Sequence, residues 1–394
     1  MDSPESAESC PAMRLKPVPG FLLTLLALAP VGGLVAASAG DRMNQPVDES
    51  ESDTKQYNEL MEDAAKYRAG RTSAPPSAFA DARALELLNQ ARELLSTGHE
   101  IRGRWRAERA FEEVPYSKYA GEALRLALEC AAIGNNLGEV RQKMLMLWLY
   151  LPDWQGMGEA MERSLGLAED AQDFASTVNL AAENPKDVIN LEGRVFFNDH
   201  EAKRIFRFLS IHGDRVDVAP RGALGLARGL LLSGDTEDLI TARRSYEKFL
   251  EDWPTHALTF TGLCEYALSH LVAYRGEHYD LGTLVFAAAI VEQAAIETKG
   301  NAERTATVEA YRTRIRRWHQ DRDLAIGRWY VARGSPKILQ WLTMPSGLAD
   351  WAAGARRDYQ EVIARAGPSP QGRTARAELD SLPRPAGVLG EPGK

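Results

Sequence analysis

Two apolar stripes separated by a proline constrain this chain most. In the first, Leu239, Ala242, Tyr246, Phe249, Leu250 and Trp253 fall at steps of three, four, three, one and three residues. On a helix of 3.6 residues per turn those steps wind onto one face. Pro254 ends the pattern, because proline lacks the N–H and clashes with the preceding turn. Beyond it Leu263, Ala267, Leu271 and Tyr274 make a second stripe at steps of four, four and three. Thr255 is the predicted N-cap of this second helix. Residues 239–274 therefore read as one αα-hairpin, with Ala242 and Ala267 small enough for close helix approach. Neither stripe can be buried except by neighbours of the same kind.

The first half of this unit recurs. Residues 242–250, ARRSYEKFL, match 355–363, ARRDYQEVI, with Ala, Arg, Arg and Tyr identical and an apolar pair closing each. Pro115 and Pro152 lie 37 residues apart, each preceded seventeen or eighteen residues earlier by a glycine, Gly98 or Gly134. That spacing is near the roughly 34 residues of a tetratricopeptide repeat. Helix stripes fill the intervals. Ala84 to Leu95 is stopped by Gly98, Trp105 to Val114 by Pro115, Leu124 to Ala131 by Gly134, and Val140 to Leu151 by Pro152; a fifth covers 158–168. Alternating glycine and proline stops suit stacked hairpins, the glycines taking a left-handed C′ position. The fold class expected is all-α, a tetratricopeptide-like superhelix of stacked antiparallel helical hairpins in two lobes.

Boundaries follow from composition. Arg14 and Lys16, the apolar run 21–29 and Ala37-Ser38-Ala39 have the order of a cleavable export signal, placed at 1–39. The apolar run is shorter than the roughly 20 residues of a membrane span. No cysteine lies just after it, as a lipoprotein would need; Cys10 precedes it. Residues 40–80 read as a polar linker, largely disordered, with one short helix near 57–67. The first lobe is placed at 81–170, an irregular helical connection at 171–221 with a helix ending at Pro185 and another over EAKRIFRFLSIHG, and the second lobe at 222–383. Residues 335–350 interrupt the second lobe, and 384–394 form a disordered tail. Charged residues are 26% of the chain and the net charge is −8, with no basic field to release counterions from DNA or RNA. Nucleic acid is not an expected partner. Cys130 and Cys264 sit on apolar helical segments and read as buried free thiols.

Residue types that carry catalysis do not converge. The seven histidines are scattered, no H-E-x-x-H or C-x-x-C spacing occurs, and no metal or cofactor is expected. His270 and His278 would share a helix side only if the helix ran through Gly276. GALGLARG has the glycines of a dinucleotide loop but no strand before it, so the glycines serve close helix packing. Paired acids such as Glu112-Glu113 and Glu251-Asp252 read as solvated. The expectation is a protein that is not an enzyme. Two features stand out for binding. RTRIRRWHQDR at 312–322 is basic in an acidic chain, with Arg312, Arg316, His319 and Gln320 on one face; it is either a solvated cationic stripe or a docking surface for an acidic protein partner. Trp105, Tyr116, Tyr119 and Trp148 read chiefly as core, while Tyr116 and Tyr119, flanking a turn, could anchor a peptide.

Taken in order, ALELLNQARELLSTG, RAERAFEEVPYSKYA, the 242–276 segment, RTRIRRWHQDRDLAIGRWYVARG and ARRDYQEVIARAG resemble the BamD-type outer-membrane protein assembly factors. The P-x-S-x-Y turn at 115–119, F-L-x-x-W-P-T-H at 249–256 and R-D-x-A-x-x-x-W-Y-x-x-R-G at 322–334 carry the likeness, which covers about 82–383. The resemblance implies a periplasmic scaffold, peripheral to the outer membrane and attached only through its partners. Its implied partners are unfolded barrel precursors and a barrel-inserting outer-membrane assembly subunit. By position it puts precursor contacts at Tyr116 and Tyr119 and partner docking on Arg316, Arg317 and Arg322. The missing lipoprotein cysteine and the segments 171–221 and 335–350 depart from the family pattern. The other reading is a general periplasmic adaptor in envelope division, secretion or polysaccharide export.

Overall fold

The structure is a computed structural model that describes residues 49–73, 77–182, 187–189, 196–276, 281–298, 300–334 and 351–382. The export signal, the interruption at 335–350, the tail at 384–394 and His278 lie outside the described residues. Within them the chain is all-helical, and helices pack against their neighbours in sequence. The one β feature is an isolated antiparallel bridge between Val178 and Ile189.

Turns of two kinds alternate along the first helices. α2 (Ala78–Ser96) and α3 (Glu100–Glu113) are joined through Gly98, at φ 77°, where the His99 amide donates to Leu94 O at 2.8 Å and the Gly98 amide to Leu95 O at 3.1 Å. This paired closure satisfies the last carbonyls of the helix. The turn from α4 (Ala120–Ile133) to α5 (Leu137–Tyr150) has the same two bonds, from Asn136 to Ala131 and from Asn135 to Ala132, both 3.0 Å. Here the expectation for Gly134 is corrected. Gly134 has φ −74°, and Asn135, at φ 51°, takes the left-handed position. Asparagine is among the few residues that occupy it readily.

The second kind of turn carries the proline. Val114, Leu151 and Trp253, each followed by proline, have φ/ψ of −138/64°, −133/54° and −134/59°. Steric conflict with the proline ring removes the helical conformation from the residue before it. In all three, two successive bonds follow at the same offsets: Ser117 to Val114 and Ala120 to Ser117, Trp154 to Leu151 and Met157 to Trp154, His256 to Trp253 and Thr259 to His256. One sequence device thus yields one geometry three times.

The stretch 239–274 forms the two helices expected, α10 (Thr236–Asp252) and α11 (Thr259–Ala273). Ala242, Tyr246, Phe249, Ala267 and Leu271 are fully buried and Trp253 is half-buried. The N-cap expected at Thr255 is not found. Thr255 is exposed and α11 starts at Thr259, whose hydroxyl donates to Trp253 O at 2.9 Å and His256 O at 2.8 Å. The unit also straddles two pairs. α10 packs on α9 (Val218–Leu232) across the left-handed Gly234, while α11 packs on α12 (Gly282–Ile296) as well as on α10.

Between α6 (Met157–Gln172) and α9 the chain departs from expectation. The helix expected to end at Pro185 is not formed over the described residues 178–182, and Pro185 itself lies outside them. Asp173, at φ 39°, ends α6, the single turn α7 (Phe174–Thr177) follows, and Val178 enters the bridge, with the Asn179 amide donating to Val188 O at 2.8 Å. The Asn179 carboxamide oxygen accepts from the Ala181 amide at 3.0 Å, a local bond that competes with helix. α8 (Phe196–His212) is the helix expected over EAKRIFRFLSIHG; of the four apolar residues expected inside it, Ile205, Phe206 and Leu209 are fully buried and Phe208 is half-buried. It lies close on α9 because α9 presents glycines. A Cβ on Gly225 would meet the Phe206 ring at 2.5 Å, and one on Gly222 the Leu209 backbone at 3.2 Å. This is the close packing expected of GALGLARG.

The region 40–80 is corrected over its second half. Instead of a short helix in a mostly disordered linker, α1 spans Glu49–Ser73. Tyr57, Leu60, Ala64 and Tyr67 step down one side of it and pack on the first core. Buried apolar residues form three clusters among the described residues: one from α1 to α8 that reaches Val218, one from Ala182 to Trp318, and one uniting α13 (Ala302–Gly334), α14 (Trp351–Ala366) and α15 (Pro370–Ser381). α13 serves two of them, burying Val308, Tyr311, Ile315 and Trp318 in the second and Leu324 in the third. The recurrent segments occupy equivalent core roles: Ala355, Tyr359 and Val362 are buried as are Ala242, Tyr246 and Phe249.

Candidate functional site

The P-x-S-x-Y turn is held from α2. Asp81 accepts from the Ser117 hydroxyl at 2.8 Å and from the Lys118 amide at 3.1 Å, and these bonds hold its carboxyl below the usual carboxylate range. The turn places Tyr116 and Tyr119 side by side in sequence but in different surroundings. Tyr119 is half-buried with the Lys118 ammonium 5.0 Å from its ring centroid. Tyr116 is engaged by α1. Its hydroxyl lies against the backbone of Gly70, and its ring is 5.4 Å from that of Tyr67, which also stacks on Phe111 and meets Tyr150 at 5.2 Å. The Tyr67 hydroxyl donates to Pro115 O. Burial pushes the Tyr67 pKa up to about 12, so it stays a donor. Of the other aromatics, Trp148 packs edge-on against Phe208 at 5.5 Å, whereas Trp105 is 61% exposed and does not join the core expected of it. It lies one turn from exposed Ile101 on α3.

The basic run lies on α13, and its cations diverge. Arg312 pairs with Glu292 and Glu309, both at 2.6 Å, and these bonds hold its pKa above the ordinary arginine value. Arg314 turns inward, 7% exposed, donating to Leu180 O at 2.6 Å and lying over the Trp318 ring. Arg316 remains exposed, 3.7 Å from Glu309, and Arg317 lies 4.0 Å from Asp321. Arg322 is half-buried beside His319 and Asp323. The run is thus not a uniform cationic stripe, since helical periodicity sends Arg314 to the core and Glu292 and Glu309 offset Arg312. Arg316 and Arg312, with Ile315 between them, line a shallow cleft of about 350 Å³ between α12 and α13.

One polar constellation escaped the sequence reading. Glu265, 6% exposed on α11, receives a bidentate contact from Arg228 of α9, at 2.7 Å and 2.9 Å, and the Tyr246 hydroxyl at 3.4 Å. Burial pushes the Glu265 carboxyl above the usual range, and Arg228 pulls it back. Each group consumes the other, which suits a structural clamp between hairpins. The signal was a lone acid in an otherwise apolar helix, TFTGLCEYALSHLVA. Cys130 and Cys264 are buried free thiols, pushed by burial to about 11 and about 12. Among the described residues no group of His, Cys, Asp and Glu is placed to hold a metal ion, and no helix is long and apolar enough to cross a membrane. Compared with known proteins, the chain matches no family model, no curated protein sequence and no solved structure.

Proposed function

We propose that this chain is a non-enzymatic scaffold of outer-membrane β-barrel protein assembly, built as a two-lobed tetratricopeptide-like superhelix. The reading rests on the resemblance of 82–383 to BamD-type factors. The observation that supports it best is the recurrence of one proline turn at Val114, Leu151 and Trp253, because such a recurrence is what a stack of equivalent hairpins needs. In this reading the barrel-inserting subunit docks on the outer face of α13 through Arg316, Arg317 and Arg322, where arginine can grip carboxylates bidentately. Precursor segments contact Tyr119 directly and reach Tyr116 when α1 gives way. The chain acts in the periplasm after export, with no cofactor.

A general periplasmic adaptor for division, secretion or polysaccharide export is the second reading. The covering of Tyr116 by Tyr67 favours it, since a site built for extended precursors would stand open. Capture of tagged protein from detergent-solubilised envelopes separates the two. Recovery of a barrel-inserting outer-membrane subunit is expected; recovery of other envelope machinery without it contradicts the assembly reading.

A further inference from the structure

The W-P-T-H turn builds something the proposed docking faces do not use. The Trp253 indole N–H donates to Arg215 O at 3.3 Å, and His256 Nε2 bonds Val216 O at 2.8 Å while its Nδ1 accepts from the Leu258 amide at 3.2 Å. The ring therefore carries its proton on Nε2. Two side chains of one turn thus fix the carbonyls of the α8–α9 loop. The loop is fixed from its own side too: the Asp214 carboxylate accepts from the amides of Val216 and Asp217, at 3.0 Å and 2.9 Å.

This rigid loop forms one wall of a cleft of about 570 Å³ between α8, α9 and α10. Its floor is apolar, from the half-buried Ala223 and Leu226 of α9 and Trp253 just after α10, with the fully buried Phe249 beneath them. Its rim is cationic. Arg207 of α8, Arg215 of the loop and Lys248 of α10 all line it, against one carboxylate, Asp252. None of these four forms an ion pair with any described residue, although Arg204, Arg221 and Arg228 of α8 and α9 do, Arg221 with three acids. Nearby acids are already engaged, Asp214 by backbone amides and Asp217 by Arg221. In a chain of net charge −8, three unpaired cations around an apolar hollow are a local reversal of sign.

We infer that this cleft docks a short acidic segment of a protein partner, with one bulky apolar side chain seated on Leu226 and Trp253 and flanking carboxylates met by Arg207, Arg215 and Lys248. The volume suits one large side chain with its backbone. The cations give approach rate and orientation, and the apolar floor gives retention. A flat anionic membrane would meet the rim but leave the hollow unfilled. The inference does not depend on the outer-membrane reading, because it uses neither Tyr116 nor α13.

The test is fluorescence anisotropy on the full chain with a labelled Glu-Glu-Phe-Glu-Glu peptide, beside Glu-Glu-Gly-Glu-Glu and Lys-Lys-Phe-Lys-Lys. Only the first is expected to bind, weakening about tenfold in R215E and in K248E, and again between about 50 and about 300 mM salt. Both substitutions are on exposed side chains, and unchanged circular dichroism shows the fold retained. Phosphatidylglycerol vesicles are the second probe. The inference is overturned if the acidic phenylalanine peptide does not bind, if R215E and K248E bind it as the wild type does, or if vesicles bind with the same residue dependence and the peptide does not displace them.

Discussion

Arg228 and Glu265 show how a single pair can tie two hairpins together. Replacing Arg228 with leucine leaves a carboxylate buried without its partner, and the loss expected in urea unfolding is about 3–5 kcal/mol. Exchanging both, Arg228→Met with Glu265→Leu, is expected to recover most of that loss, because the desolvation cost of two charges is removed with their attraction. His270 gives a second residue-scale expectation. It is 8% exposed between Tyr266 and Phe286, neither ring nitrogen is bonded, and burial together with Arg243 pushes its pKa down to about 4. An unfolded histidine titrates near 6.5, so below that the unfolded chain takes up a proton that the folded chain refuses. Stability contributed by the neutral ring is complete above about pH 6.5, falls as pH drops toward 4, and falls no further below it. Unfolding free energies from urea titrations should therefore show about 2 kcal/mol more loss between about pH 7 and about pH 5 for wild type than for His270→Phe.

At the scale of elements, glycines that look alike in sequence separate by what faces them. Gly225→Ala drives a methyl into the buried Phe206 ring and should cost about 1–3 kcal/mol in thermal unfolding. Gly166→Ala, inside α6 with nothing within 4 Å, should instead gain up to about 1 kcal/mol. α1 is the element whose docking was least legible. Its stripe of Tyr57, Leu60, Ala64 and Tyr67 is readable as a short helix, but the acidic residues around it resemble a solvated linker. What holds its C-terminal half is a tertiary contact, Tyr67 among Phe111, Tyr116 and Tyr150, which no local pattern encodes. Tyr67→Ala is expected to raise amide exchange across 57–73 while leaving α4 protected.

For the molecule as a whole, periodicity carried the fold and could not carry the charges. Apolar stripes and proline stops are local, so helices α2–α6 and α9–α11 were legible with small errors at caps. The inward turn of Arg314, the offsetting of Arg312 by Glu292 from another helix, and the convergence of Arg207, Arg215 and Lys248 depend on which helices meet, so the basic run looked more uniform than it is and the cleft did not show at all. The segment around Val178 resisted for the same reason, since its bridge partner lies beyond the helix break. The scaffold reading makes one demand of the whole chain: a partner must sit on the outer face of α13. A photoreactive amino acid placed in cells at position 316, with one at exposed position 244 on α10 as control, measures this directly. An adduct with a barrel-inserting outer-membrane subunit at 316 and none at 244 is expected; no such adduct at 316, or equal adducts at both, contradicts the scaffold reading.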